Sequence, residues 1–138
     1  MELNEGLEKL GAREIVDGEE WEGEVFIGSA IEDIRLPSTL KIIGAETFSR
    51  CKGLKRVEIS DGVEHIGEKC FWDSGVGEIK LPQALKSLEA GTFRSCKNLK
   101  SVEIPSGVES IGKECFYCSG IEEIALPGAL KEVSEDAF

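Results

Sequence analysis

Leu36–Lys80 reads LPSTLKIIGAETFSRCKGLKRVEISDGVEHIGEKCFWDSGVGEIK, and Leu81–Ala125 writes it again 45 residues later as LPQALKSLEAGTFRSCKNLKSVEIPSGVESIGKECFYCSGIEEIA. The leading parts agree at 13 of 23 positions and the trailing parts at 12 of 22. Each unit is itself two related turns, because Leu36, Leu40, Ile43, Phe48, Leu54 and Val57 answer to Ile59, Val63, Ile66, Phe71, Val76 and Ile79. Self-similarity at a period of twenty-odd residues marks a solenoid, in which no turn buries its own apolar face and stability comes from stacking.

Outward from this core the pattern continues in both directions. LNEGLEKLG at 3–11 matches ISDGVEHIG at 59–67, and FIGSAIEDI at 26–34 matches FWDSGVGEI at 71–79. The first turn therefore carries an insert at about Ile15–Val25, with Ile15, Val16, Trp21 and Val25 on an apolar side and Asp17, Glu19, Glu20, Glu22 and Glu24 outward. Terminal repeats are atypical because they cover the exposed end of the stack, so the insert reads as an N-terminal cap. Its acids lack the alternating ligand spacing of a calcium loop. The expected organisation is a single domain over 1–138: a cap turn at 1–35, four full repeats at 36–125 and a partial repeat at 126–138.

Each turn follows one order. The segment L-x-x-V-x-I, at Leu54–Ile59 and Leu99–Ile104 and in related form at Val76–Leu81 and Ile121–Leu126, alternates apolar and polar residues and predicts a half-buried strand. Corners at Pro37, Asp61-Gly62, Pro82, Pro105-Ser106-Gly107 and Pro127-Gly128 end it. A second extended piece follows (Leu40–Ile43, Val63–Ile66, Leu85–Leu88, Val108–Ile111). A single helical or 3₁₀ turn is then expected to carry Phe48, Phe71, Phe93 or Phe116 inward.

The pattern L-x-x-V-x-[IL]-P-x-x-[LV]-x-x-[IL]-G-x-x-x-F-x-x-C resembles the BspA-like leucine-rich repeat family over nearly the whole chain, the insert excepted. The alanine usual before the buried Phe is replaced by Thr47, Cys70, Thr92 and Cys115, and returns at Ala137. Every second turn is also one residue short, at Ser74-Gly75 and Ser119-Gly120. The resemblance implies an α/β leucine-rich-repeat solenoid, right-handed, with short parallel strands, short helical or 3₁₀ turns and about six turns in all. It further implies a surface or secreted recognition protein binding a protein or glycan partner.

At 138 residues, 41% hydrophobic and 31% charged, the composition is that of an ordinary folded chain. No apolar run reaches the roughly 20 residues of a membrane span, so no membrane insertion is expected. MELNEGLEKLGAREIV lacks the basic and apolar regions of a secretory signal, which makes the chain cytoplasmic if complete, and a surface or secreted fragment otherwise. The net charge of −11 is concentrated in residues 1–35, where eleven acids face Lys9, Arg13 and Arg35. Such an acidic surface repels phosphate backbones, and nucleic acid is not an expected partner.

Equivalent positions on successive turns lie about 4.8 Å apart, so columns carry more information than rows. Glu8, Lys41, Glu64, Lys86, Glu109 and Lys131 alternate in sign, and so do Arg35, Glu58, Lys80 and Glu103 before Ala125. Opposed charges of this kind contribute roughly 0.2–1 kcal/mol per pair and hold the register. The other reading, a charged ligand track on the concave face, is the weaker one because balanced alternation leaves little net field. The outward strand positions Arg56, Glu58, Glu78, Lys80, Ser101, Glu103 and Glu123 are accordingly candidate partner-binding residues. So are Trp72 and Tyr117, which recur two turns apart in the column Ile27, Ser49, Trp72, Arg94, Tyr117. Two readings of this column stand: an exposed aromatic binding stripe, or rings lying over Arg50 and Arg94 with no partner.

Cys51 with Cys96, and Cys70 with Cys115, are each two turns apart, about 10 Å and beyond the roughly 7 Å that a disulfide spans. These four read as buried fillers. Cys118 aligns with the polar residues Arg50, Asp73 and Ser95, and either faces solvent or reaches Cys96. A lone C-x-x-C with one histidine, His65, in the chain makes no zinc or redox site, and no nucleophile, triad or phosphate-binding motif occurs. Neither catalysis nor a cofactor is expected. The leading reading is a non-catalytic recognition module; the alternative is a structural spacer segment of a longer repeat protein. The strand at Glu122–Leu126 and the unfinished last turn suggest a monomer with weak end-to-end association, opposed by Glu122 and Glu123.

Overall fold

A computed structural model of the chain describes residues 27–36, 38 and 40–138. It is a parallel β-solenoid whose described residues make about four turns. The strands are very short: β1 (Asp33–Arg35), β2 (Ile42–Ile43), β3 (Arg56–Glu58), β4 (His65–Ile66), β5 (Glu78–Lys80), β6 (Ser87–Leu88), β7 (Ser110–Ile111) and β8 (Glu132–Val133). On one side of the coil, the front, β1, β3 and β5 form a three-stranded sheet; on the next, β2 pairs with β4, and β6, β7 and β8 form another sheet. The register follows the repeat. Arg35 lies opposite Glu58 and Glu58 opposite Lys80, steps of 23 and 22 residues that reproduce the alternating long and short turns.

The core is one column per repeat position. Leu40, Val63, Leu85 and Val108 are buried, as are Ile43, Ile66, Leu88 and Ile111 and the front residues Ile34, Val57 and Val102. At the centre runs a stack of Phe48, Phe71, Phe93, Phe116 and Phe138, with successive centroids 5.4–5.5 Å apart and planes within 3–11° of parallel. Stacked rings of this kind add to the large apolar area each phenyl removes from water.

The segment carrying these rings is not the expected helical turn, and no helix occurs among the described residues. The residues two before and two after each Phe have positive φ: Glu46 and Arg50, Lys69 and Asp73, Gly91 and Ser95, Glu114 and Cys118. A right-handed helix cannot contain such residues, and each costs a non-glycine side chain of the order of 1 kcal/mol or more. The cost is offset by hydrogen bonding between coils. The amides of Glu46, Phe48 and Arg50 donate to the carbonyls of Glu68, Cys70 and Trp72; those of Lys69, Phe71 and Asp73 donate to Ala90, Thr92 and Arg94; those of Gly91, Phe93 and Ser95 donate to Lys113, Cys115 and Tyr117. This phenylalanine wall is continuous through every described coil.

The strands are less regular. Leu99–Ile104 and Ile121–Leu126, expected as strands, form no paired ladder, although Val102 and Ile104 are buried between exposed Ser101 and Glu103. Burial alternation thus persists at 101–104 where backbone pairing lapses, and is lost at 121–126. The short turns have their own requirement. A Cβ at Gly75 would lie 2.1 Å from the Lys52 carbonyl oxygen, and one at Gly120 equally close to that of Lys97, so removing one residue presses the chain against the preceding coil and leaves room for glycine alone. The proposed cap, Ile15–Val25, lies outside the described residues, as does Glu8.

Candidate recognition face

Pleating sends the side chains on either side of each buried front residue outward. Arg56, Glu58, Glu78, Lys80, Ser101, Glu103 and Glu123 are all exposed, so the seven candidate positions do share the front of the solenoid. Arg56, Glu58, Glu78 and Lys80 line shallow depressions rather than an enclosed pocket. One of about 610 Å³ is bordered by Arg56, Glu58, Asp61, Glu78 and Lys80. Another of about 650 Å³ is bordered by Asp33, Lys55, Gly77, Glu78 and Asn98.

Charge is distributed unequally along this face. In its first three coils the ions are cross-linked: Lys55 to Glu32 at 3.2 Å, Arg35 to Glu58 at 3.1 Å and Arg56 to Glu78 at 3.9 Å. Among the described residues Lys80, Glu103, Glu122 and Glu123 form no ion pair. The alternating columns are therefore closed only in places; in the column that begins at Glu8, Lys131 meets Glu109 at 3.3 Å. These pairs are well exposed, so each contributes little to stability.

Trp72 and Tyr117 lie off the front, beside the phenylalanine wall. The Arg50 guanidinium sits 4.8 Å from the Trp72 ring centre and that of Arg94 sits 5.3 Å from the Tyr117 ring centre. Arg94 is held in turn by Glu114 at 2.6 Å. Trp72 is half-buried, Ser49 of the same column is fully buried, and Tyr117 is 39% exposed. Each ring thus has an arginine over one face, the arrangement of a cation–π pair between neighbouring coils.

The thiols follow their columns. Cys51, Cys70, Cys96 and Cys115 are buried and Cys118 is exposed. Cys96 Sγ donates to the Phe71 carbonyl at 2.9 Å and lies 3.7 Å from the Ser74 hydroxyl. Burial raises all four thiols, Cys96 to about 11 and Cys115 to about 12, because a thiolate there would lose its hydration. Thr47 and Thr92, which occupy the Cys70 and Cys115 column in alternate coils, donate to the Gly44 and Glu89 carbonyls at 2.8 Å. His65 Nδ1 is 3.7 Å from Glu89 Oε1, to which the Ser87 hydroxyl donates at 3.0 Å. Among the described residues no three metal-ligating side chains gather, and no helix is long and apolar enough to cross a membrane.

A family model described as the BspA type leucine rich repeat region matches residues 19–138 in six copies. Among solved structures, the chain is similar to the T. pallidum leucine rich repeat protein, at 25% identity and a TM-score of 0.70, covering 83% of this chain and 61% of that one. It is also similar to a leucine rich cell surface protein from Faecalibacterium prausnitzii, at 25% identity and a TM-score of 0.68, covering 76% of this chain and 32% of that one. The chain therefore spans less than two thirds of the length of either. No curated protein sequence matches it.

Proposed function

Because the chain belongs to the BspA-type leucine-rich repeat family, we propose that it is a single-domain, non-catalytic recognition module that engages a protein or glycan through the front of its solenoid. The observation that carries this reading is the unpaired charge at Lys80, Glu103 and Glu123, beside front positions whose ions are already bound to one another. Groups without an internal partner can change partner without breaking a contact, and polar side chains over shallow, open relief suit an extended ligand better than a small molecule. Repeat solenoids use such extended faces for binding. The family is typically non-catalytic. An acidic chain disfavours nucleic acid.

A glycan array and a panel of purified surface proteins test the reading. The triple variant Lys80→Glu, Glu103→Lys, Glu123→Lys should abolish any interaction found while leaving Tm within a few degrees of the parent. Binding that survives the triple variant but is lost in Trp72→Ser, Tyr117→Ser would move the site to the wall. A second reading, a structural spacer within a longer repeat protein, is favoured by the greater length of the related solenoids. It expects neither variant to alter any interaction.

A further inference from the structure

The 45-residue repeat places Glu32, Gly77 and Glu122 at one position of the front, in the segments AIED, GVGE and GIEE. The coils between them supply Lys55 and Lys100. The column would therefore run acid, base, acid, base, acid, but its middle acid is missing. Backbone bonds keep the column in line. The Lys55 amide donates to the Glu32 carbonyl at 2.7 Å, that of Gly77 to Lys55 at 3.1 Å and that of Glu122 to Lys100 at 3.0 Å.

The fold does not demand glycine at 77. Its φ lies outside the left-handed region, and a Cβ there would meet the Asn98 carbonyl oxygen at an ordinary 3.5 Å, unlike one at Gly75, which would lie 2.1 Å from the Lys52 oxygen. The vacancy has a specific effect on charge. Lys55 reaches back one coil to Glu32 at 3.2 Å. Lys100, its counterpart 45 residues on, has Gly77 in the place of that glutamate. Among the described residues Lys100 forms no ion pair, with Glu122 or any other acid. The face also opens here. Gly77, Lys55 and Asn98 border the depression of about 650 Å³, and β5 pairs with β3 behind it but with no strand ahead. Across the gap Lys55 and Lys100 are two coils apart, about 10 Å, which leaves room for one carboxylate between two ammonium groups.

We infer that Gly77 and Lys100 form a seat for the carboxylate of an acidic side chain from a protein partner, which takes beside Lys100 the place that Glu32 holds beside Lys55. This inference rests on the front-face reading and names the chemistry of its partner. The vacancy is one side chain wide. A carboxylate on a methylene arm enters such a gap, whereas one fixed to a sugar ring brings the ring in with it. Glu78 flanks the seat and Glu122 lies beyond Lys100, so a multiply charged anion is repelled. A single carboxylate alternates with the lysines as the column's own acids do.

A blocked pentapeptide, acetyl-Ser-Gly-Glu-Gly-Ser-amide, tests the seat when titrated at low salt into the isotope-labelled full chain and followed by NMR. It should shift the Gly77 and Lys100 amides, and its glutamine analogue should not. Lys100→Gln should weaken binding about three- to fivefold, the upper part of what an exposed ion pair contributes. Gly77→Glu fills the seat, so it should abolish the shifts while holding Tm at or above that of the parent; Gly77→Ala, which adds no acid, should still bind. No shift at Gly77, or equal shifts from the glutamine analogue, would overturn the seat. Glucuronate moving both amides more strongly than the peptide would make an acidic glycan the occupant and overturn the choice of partner. The triple variant at Lys80, Glu103 and Glu123 touches neither residue of the seat, so the two readings fail separately. A purified partner lost in that variant but kept by Gly77→Glu and Lys100→Gln would overturn the seat alone.

Discussion

The phenylalanine wall and the front of the solenoid are built from the same repeats but under opposite constraints. Along the wall the coils of Phe48, Phe71 and Phe93 each repeat a ring, two positive-φ residues and three amides donated to the next coil, and the coil of Phe116 keeps the ring, both positive-φ residues and the Phe116 amide. Along the front, β1, β3 and β5 pair, but the equivalent residues 99–104 and 121–126 do not. One side is regular because each of its groups has a single acceptable partner: a ring that must stack, an amide that must be capped. The other is irregular because its outward side chains reach water, where a missing partner costs little. Regularity thus identifies the part that specifies the fold, and irregularity the part free to vary.

The sharpest way to break this comparison is to empty the wall. Phe93→Ala removes a fully buried ring stacked on both sides, and should cost about 3–5 kcal/mol and melt the chain tens of degrees earlier. A loss under about 1 kcal/mol, read from denaturant unfolding, would show that the wall does not hold the coils.

A smaller effect comes from the thiols lining the same wall. Burial raises their proton affinity, so the folded chain keeps them protonated where the unfolded chain releases the proton, near pH 8.5–9. Stability should be at its full value below about pH 9 and fall as pH climbs toward 11 and 12, the ranges of Cys96 and Cys115. Cys70→Thr with Cys115→Thr should flatten that alkaline fall without lowering stability at pH 7, because threonine already fills the column at Thr47 and Thr92. Native alkylation followed by mass spectrometry gives an independent reading: Cys118 should label first, and rapid labelling of Cys70 would place the column wrongly.

Least of all should follow from the front. Arg56→Ala breaks a pair 3.9 Å apart between two well-exposed side chains, and unfolding should shift by no more than about 0.5 kcal/mol. A loss comparable to that at Phe93 would erase the distinction between the two sides.

The repeats alone determined the period of 22 and 23 residues, the inward columns, the inward phenylalanines and the burial of Cys51, Cys70, Cys96 and Cys115. Each follows from side-chain chemistry recurring at fixed spacing, and stacking then admits one register. The exposed front positions Arg56 to Glu123 were legible for the same reason, because alternation in a strand leaves only two faces. The backbone of the wall was not. Glu46, Arg50, Lys69 and Asp73 are ordinary helix or loop residues by propensity, and they turn left-handed because the carbonyls of the neighbouring coil lie within reach of their amides. Which charges pair was likewise a tertiary matter, since long side chains choose among several partners. So was the placing of Arg50 and Arg94 over Trp72 and Tyr117. Spacing in the sequence says that these groups are neighbours; only the packed coils decide which face of each ring, and which oxygen of each peptide, the neighbour meets.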